Sequence, residues 1–501
     1  MSSSPVPAAV TAASTVGLVR VLGRAQQYEW GKVGAASAVG QLLAAGAESE
    51  SESASAAAPG GQINNEPFAL DPSAHYAELW LGTHPSGPSA VRLADGSTAP
   101  LADYLGSSLP FLFKVLSVGA ALSVQAHPDA ALAAKLHSSR PSVYRDPHHK
   151  PELACAITKF EAMCAFRPLR EVARHAEDFP ELMAIIGPEL AQRLRAQAES
   201  TASAGRPANI DQPNSAEQKA LLREIFAAVM EPPAELLQQQ LAAMLDRLQR
   251  EGVTASVPSE CADGGGAGAA AGESASSSAS ESASAPSSSP SSATSLPVGP
   301  LILRLASQYP GDVGLFAPLL LNCFSLPVGA SLFLGPNEPH AYLSGDCVEC
   351  MACSDNVVRA GLTPKLRDTK VLIDMLSYES RSVRDTIMRP VHIAPAVIEF
   401  APPKEFAEFR LLRAEIGDGK AARAAELAAL TGPALLLVFD GRGRAETQTQ
   451  THTRTAGGAT QAHSQPLRRG DVFLVPAGAA VRLEADDKST LLAFLCAANH
   501  Q

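Results

Sequence analysis

The chain has 501 residues, 46% of them hydrophobic and 18% charged, with a net charge of −11. A chain of that size and apolar content builds a large core spread over two or three domains. The acidic balance excludes a general nucleic-acid binder, because phosphate backbones require a basic face, but it leaves room for a small anionic substrate in a local basic pocket. No apolar stretch reaches the roughly 20 residues that a membrane-spanning helix needs, so no membrane partner is expected. The N-terminus has no basic segment followed by a long apolar core, which argues against a secretory signal. Residues 1–28 hold no acidic residue and only Arg20 and Arg24, a weaker sign of an organelle transit peptide. Eight cysteines without regular disulfide spacing fit a reducing, cytoplasmic compartment.

In chain order, residues 45–62 are rich in Ser, Glu, Ala and Gly and read as a flexible insertion. The apolar run 111–124 has the β-branched and aromatic mix of a buried strand. Gln125 and His127 follow it two residues apart, so in a strand both would leave the same face. A second strand then brings Glu152 beside them, giving three candidate ligands for a divalent metal, one short of a closed tetrahedron. Residues 169–196 and 216–250 read as helices. In the second, Leu221, Leu222, Ile225, Phe226 and Val229 recur at helical spacing until Pro232-Pro233 breaks the pattern. Residues 257–295, almost all Ser, Ala, Gly and Pro, read as a low-complexity linker. A short helical run, 302–307, comes next.

A Gly/Pro-rich turn, Gly335-Pro-Asn-Glu-Pro, then presents His340 at the start of a strand, a fourth ligand candidate. Short strands with Gly/Pro turns flank the helices and recur at 434–439, 471–475, 481–485 and 491–495, which suggests β-sandwich or jelly-roll domains. Residues 446–465, a Thr/Gln/His tract, read as a further flexible insertion.

Cys347, Cys350 and Cys353 have the spacing of half an iron–sulfur motif. Strand alternation points Cys350 away from Cys347, and Cys353 lies about 20 Å along an extended chain from Cys347 at roughly 3.3 Å per residue. These cysteines therefore read as small buried apolar residues. The same alternation sets Glu349 and Asp355 on the face opposite Cys350.

The blocks YAELWLGTHPSGPS (76–89), FKVLSVGAALSVQAHPD (113–129), HHKPELACAITKFEAMCAFRP (148–168) and PHAYLSGDCVECMACSDNVVRAGLTPK (339–365) resemble type I mannose-6-phosphate isomerase (phosphomannose isomerase), of the cupin superfamily. The opening Tyr28-Glu-Trp30-Gly-Lys32 is similar to that family's first block. The resemblance implies a mainly β chain: a cupin or jelly-roll catalytic domain, an α-helical insertion and a second, cupin-like C-terminal domain. The expected division is 17–167 and 296–390 for the catalytic part (296–390 including a helical return), 168–256 helical, 257–295 linker, and 391–501 C-terminal.

It further implies one Zn2+ per chain, with Gln125, His127, Glu152 and His340 on the family's ligand positions. Two neutral imidazoles, an amide and one carboxylate leave bound zinc a net positive charge, suited to polarising a sugar oxygen. Arg359 is the expected group for oxyanion stabilisation. Lys365 is expected to contact phosphate. Lys114, Tyr342, Asp355 and Trp30 are further substrate-binding candidates, and Lys150, Glu349 and Asp355 remain open as the base. The implied activity interconverts mannose 6-phosphate and fructose 6-phosphate through an enediol-type intermediate, supplying GDP-mannose synthesis and mannose use, in a monomer. A cupin oxygenase using iron, or a storage bicupin without catalysis, would not account for Lys150, Arg359 and Lys365 gathering near the metal.

Overall fold

The computed structural model describes residues 17–53, 62–63, 66–203, 213–252, 293–449 and 461–499. Two β-sandwiches lie back to back, with a helical layer packed on the first. In the N-terminal sandwich one long strand, His340–Ala352, organises the rest. Its second half pairs antiparallel with Phe111–Val118 on one side and Glu152–Ala156 on the other. Its first half pairs with Phe160–Phe166 and, through His340, with Gln125. The strand passes from one layer to the other at Gly345, whose φ is 106°; a Cβ at this position would fall 2.4 Å from the Lys159 carbonyl oxygen. Only glycine tolerates that combination.

The apolar run 111–124 is not one strand. It stops at Val118 and resumes as Val124–Ala126, because the backbone amides of Gly119 and Ala120 turn to donate to the Trp30 carbonyl at 2.9 and 3.0 Å. That break lets the N-terminal segment be clipped over the sheet.

The helices Leu169–Asp178, Pro180–Ser203, Ala216–Met230, Ala234–Arg250 and Val298–Gln308 enclose one large apolar core. The stretch read as a single helix over 169–196 breaks before Pro180, and again at Gly187, where φ is 77° ahead of Pro188. Proline disfavours a helical residue before it and removes an amide donor, so both interruptions follow from local chemistry. Ser215 and Gln218 form a reciprocal capping box at the third helix, and Pro233 precedes the fourth.

In the C-terminal sandwich the strand Ala434–Thr449 plays the part of the long strand. It pairs with Val472–Val475 and Thr490–Ala497 up to Gly441, then with Gln461–Arg468 and Ala480–Ala485. Three N-terminal strands join this sheet: Val19–Leu22 pairs with Val472–Val475, and Ala90–Arg92 and Thr98–Pro100 continue from it. The division expected at 391 is therefore crossed by residues from the start of the chain. One apolar cluster joins the sandwiches. It packs Phe113, Val115, Leu153 and Cys350 together with Leu435, Leu474, Phe494 and Cys496.

Three insertions read as flexible need correction. Residues 45–53 continue the helix Ala38–Ser53, since Ala and Glu are good helix formers whatever their low complexity, and 54–61 lie outside the described residues. Residues 446–449 and 461–465 are paired strand, and 450–460 lie outside the described residues. Thr294–Ser295 pairs with Leu321–Leu326, and the remainder of 257–295 up to 292 lies outside the described residues.

Candidate metal centre and active site

His127, Glu152 and His340 form a buried cluster whose ligand atoms all lie within 4.8 Å of one another. Three local features converge to make it. His127 comes one residue after Val124–Ala126, Glu152 opens the strand Glu152–Ala156, and His340 opens the long strand after the turn at 335–339. The ring Nδ1 of His127 donates to the Asn356 carbonyl at 2.7 Å, and that of His340 to the Glu338 carbonyl at 3.0 Å. A carbonyl only accepts, so both Nδ1 atoms carry the proton and both Nε2 lone pairs are turned inward. His127 Nε2 is buried with no hydrogen-bond partner, 3.3 Å from Glu152 Oε1. His340 Nε2 is 3.6 Å from Glu152 Oε2. Two oriented imidazoles and one carboxylate, with an orphaned lone pair between them, fit a divalent cation of the zinc type.

The electrostatics agree. Burial, the second imidazole and nearby Lys150 push His340 down to about 4, so it is neutral at physiological pH. Burial would raise the Glu152 carboxyl, but His127, whenever its ring is protonated, and Lys150 outweigh it and hold the group well below its ordinary value. Gln125 sits at the rim. Its Oε1 accepts from Ser123 at 2.9 Å, and its Nε2 is 3.4 Å from His340 Nε2. Turning the amide over would exchange the two ends and bring the oxygen to the cluster.

His127 is further held from behind. Its carbonyl accepts from Asn337 N at 2.7 Å, and the Asn337 side-chain amide donates to Asp129 Oδ2 at 2.9 Å. Asp129 Oδ1 in turn caps the helix Ala130–Ser139. The Asp of the His-Pro-Asp run is thus a scaffold group.

Beside the cluster, register places Glu78 and Trp80, Lys114, Glu349 and Glu152 on one sheet face: Lys114 is opposite both Trp80 and Glu349, and Glu349 is opposite Ala154. Lys114 Nζ donates to Glu349 Oε2 at 2.9 Å and Tyr342 Oη to Glu349 Oε1 at 2.8 Å. Trp80 Nε1 donates to Glu78. Burial works to lower the Lys114 pKa, but Glu349, Glu78 and Glu152 overcome it and raise the pKa, so Lys114 stays charged. Burial raises Glu349 against the pull of Lys114. Lys150 is buried, with its ammonium 3.4 Å from Glu152 Oε1.

Arg359 is directly opposite Gln125 in the ladder and half-buried, and burial lowers its pKa. Lys365 is exposed at the mouth, 5.9 Å over the Tyr28 ring, and Tyr28 stacks on Trp30 at 5.8 Å. Burial, then Arg359, lowers the Lys365 pKa. Asp355 is partly exposed, accepting from Ser86 at 3.1 Å with His84 Nε2 at 3.6 Å. The structure brings His127, Glu152 and His340 together, with Gln125 and Lys150 in reach of them and Lys114, Glu349 and Tyr342 joined to one another beside them. Two neighbours were missed: Tyr28, whose pKa is raised by burial, then by Glu78, and His84, buried edge-on against Trp80 at 5.2 Å. Both stand inside the similar blocks, which was the available signal. Cys347 and Cys350 are buried, and the one group of metal-ligand side chains brought together among the described residues contains no cysteine.

The comparisons with known proteins point the same way. A family model for the catalytic domain of type I phosphomannose isomerase matches residues 18–169, and one for its helical insertion domain matches residues 269–321. Mannose-6-phosphate isomerase of Candida albicans is 35% identical over 485 residues, covering 92% of this chain and 93% of that protein. The Homo sapiens protein of the same name is 33% identical, covering 94% and 96%. A crystal structure of mannose 6-phosphate isomerase bound with zinc and yttrium superposes with a TM-score of 0.65 at 22% identity, over 97% of this chain and 100% of that one. A variant of phosphomannose isomerase from Salmonella typhimurium gives 0.66 at 22%, over the same shares. At that identity the structural likeness is one of fold.

Proposed function

Because the chain belongs to the type I phosphomannose isomerase family, we propose that it is an aldose–ketose isomerase interconverting mannose 6-phosphate and fructose 6-phosphate with one zinc ion. The observation that carries this reading is the buried His127–Glu152–His340 cluster with its unpartnered His127 Nε2, ringed by Lys150, Arg359 and Lys114. His127, Glu152 and His340, completed by Gln125 with its amide turned over, would hold the ion. Bound there, zinc supplies positive charge that polarises the sugar oxygens at C1 and C2.

The chain's own groups do the rest. Arg359, on the same face as Gln125, stabilises negative charge as the C1–C2 unit passes through an enediol. Lys150 moves the proton between C1 and C2: its one ion pair among the described residues is with Glu152, which places its ammonium at the edge of the ligand set. Glu349 is the second proton-handling candidate, but both its oxygens already accept hydrogen bonds, which suits it better to fixing Lys114 and Tyr342. Lys365 at the mouth binds the phosphate, Tyr28 and Trp30 wall the sugar, and Asp355 with His84 orients its hydroxyls. No helix among the described residues is long and apolar enough to cross a membrane. We place the enzyme in the cytoplasm as a monomer, supplying GDP-mannose synthesis and mannose use.

The test is direct. The purified, zinc-loaded protein should convert mannose 6-phosphate to fructose 6-phosphate in a coupled assay and lose that activity to a chelator. Absence of turnover by the zinc-loaded protein would overturn the reading.

A further inference from the structure

A side-chain hydrogen bond from the C-terminal part of the chain lands three residues before Glu152 of the metal cluster. Glu408 lies just ahead of the C-terminal strand Arg410–Gly417, and its Oε1 is hydrogen-bonded to His149 Nε2. Its other oxygen is buried with no hydrogen-bond partner among the described residues, so the carboxylate is spent on this one contact. Both side chains are largely covered, at 21% and 24% exposure. The His149 ring also lies on Phe406, centroids 6.0 Å apart, and Phe406 lies on Phe333 at 5.0 Å. Phe333 pairs with Leu153, and its neighbour Leu334 pairs with Glu152.

His149 precedes Lys150-Pro151-Glu152 without a spacer. His149 and Lys150 lie ahead of the strand Glu152–Ala156, so fixing His149 leaves Lys150 only one residue of slack before Pro151. Pro151 removes the freedom to compensate, with φ fixed and no amide of its own. Its carbonyl is already bonded to Ala352 N at 3.2 Å. Phe406 and Glu408 therefore hold His149, three residues before Glu152, and Phe406 also holds Phe333 on the strand beside Glu152, all from outside the cluster.

We propose that Glu408 is a positioning residue. Acting through His149, it fixes the Lys150–Glu152 segment, so that the C-terminal sandwich sets the geometry of the metal centre without contributing an atom to it. The kinetic arm of the test rests on the isomerase reading above; the zinc arm does not. A group hydrogen-bonded directly to a ligand typically changes metal affinity or activity about 10- to 100-fold, and Glu408 acts from further out, so the lower end of that range applies.

The experiment compares the full-length parent with Glu408→Ala, Glu408→Gln, His149→Ala and the Glu408→Ala/His149→Ala double variant. Zinc affinity is read by chelator competition, and kcat and KM at saturating zinc. The expected result for Glu408→Ala is about tenfold weaker zinc and about tenfold lower kcat, with KM within about twofold. Glu408→Gln, which can still accept from the ring, recovers most of both, and the double variant is no worse than His149→Ala. Parent values of zinc affinity and kcat in folded Glu408→Ala would overturn the proposal, and so would losses that multiply in the double variant. A parent that binds zinc but turns over no mannose 6-phosphate removes the isomerase reading alone, and the zinc arm still decides the role of Glu408.

Discussion

Arg359 is a costly residue to hold where it is. Burial lowers its pKa, and among the described residues no carboxylate lies within ion-pair distance of it. A half-buried guanidinium kept without a counter-ion is set for a negative charge that arrives with the substrate. Arg359→Ala should therefore lower kcat by at least about a hundredfold, the loss typical of one oxyanion donor, while melting temperature stays near the parent. A folded variant with near-parent kcat removes Arg359 from the reaction. The neighbouring Lys114 is a different case, since Glu349 and Tyr342 tie it into the sheet face. Much of this layer was legible from sequence. Gln-x-His, the Glu at 152 and the His after a Gly/Pro turn have donor atoms that few other roles need. What was not legible is orientation: the two backbone carbonyls that set the imidazole tautomers come from Asn356 and Glu338, one of them far along the chain from its histidine. His84 and Tyr28 escaped because a lone histidine before proline and an exposed tyrosine carry no spacing signal.

At the scale of elements, Gly345 and His175 show what the sandwich and the helical layer depend on. Gly345 lets one strand serve two layers, and any side chain there meets the Lys159 carbonyl at a backbone angle that L-residues avoid. Gly345→Ala should cost at least about 2 kcal/mol, measured by urea unfolding; a loss below about half a kcal/mol would show that the strand relaxes. His175 sits in the helix Leu169–Asp178, buried, with Nδ1 donating to the Leu319 carbonyl at 2.9 Å. Burial, then Arg167, lowers it from 6.5 to about 4. The unfolded chain binds this proton more readily, so its contribution to stability is complete above pH 6.5, falls as the pH drops, and is gone near 4. Between about pH 7 and 5 the parent should lose about 2 kcal/mol to this group. His175→Gln, which keeps a donor for Leu319, should flatten that part of the profile. Equal acid sensitivity in parent and variant would clear His175 of the effect. The apolar stripes of the helices were readable in sequence, because burial imposes a period. The strand pairs at 446–449 and 461–465 were not, since their Thr, Gln and Ser residues lack apolar alternation and only Thr447 among 446–448 is buried.

For the whole molecule, the relation between the two sandwiches decides how many metals the chain carries. His340 opens a strand after the turn 335–339 that follows Ser331–Leu334, and Ala480 opens one after the turn 476–479 that follows Val472–Val475. Laying Pro336 over Pro476 puts Ala480 at the place of His340, and alanine has no donor atom. The residues around it, Phe473, Val475, Val481 and Leu483, are packed in an apolar core. Among the described residues, the His127–Glu152–His340 cluster is the one group of three such ligands. The second sandwich fills its own interior with apolar side chains and gives the opposite face of the same strands to the seam with the first, where Leu435, Leu474 and Phe494 meet Phe113, Val115 and Leu153. One half of the molecule thus keeps polar donors buried at the expense of stability, and the other supplies the apolar contacts that make this tolerable. Elemental analysis of the purified chain should find one zinc, and His340→Ala should find close to none, because removing one of two imidazoles leaves too few strong donors for a tight site. Two zinc ions per chain, or one retained by folded His340→Ala, would mean that the C-terminal sandwich, or a segment outside the described residues, holds metal of its own.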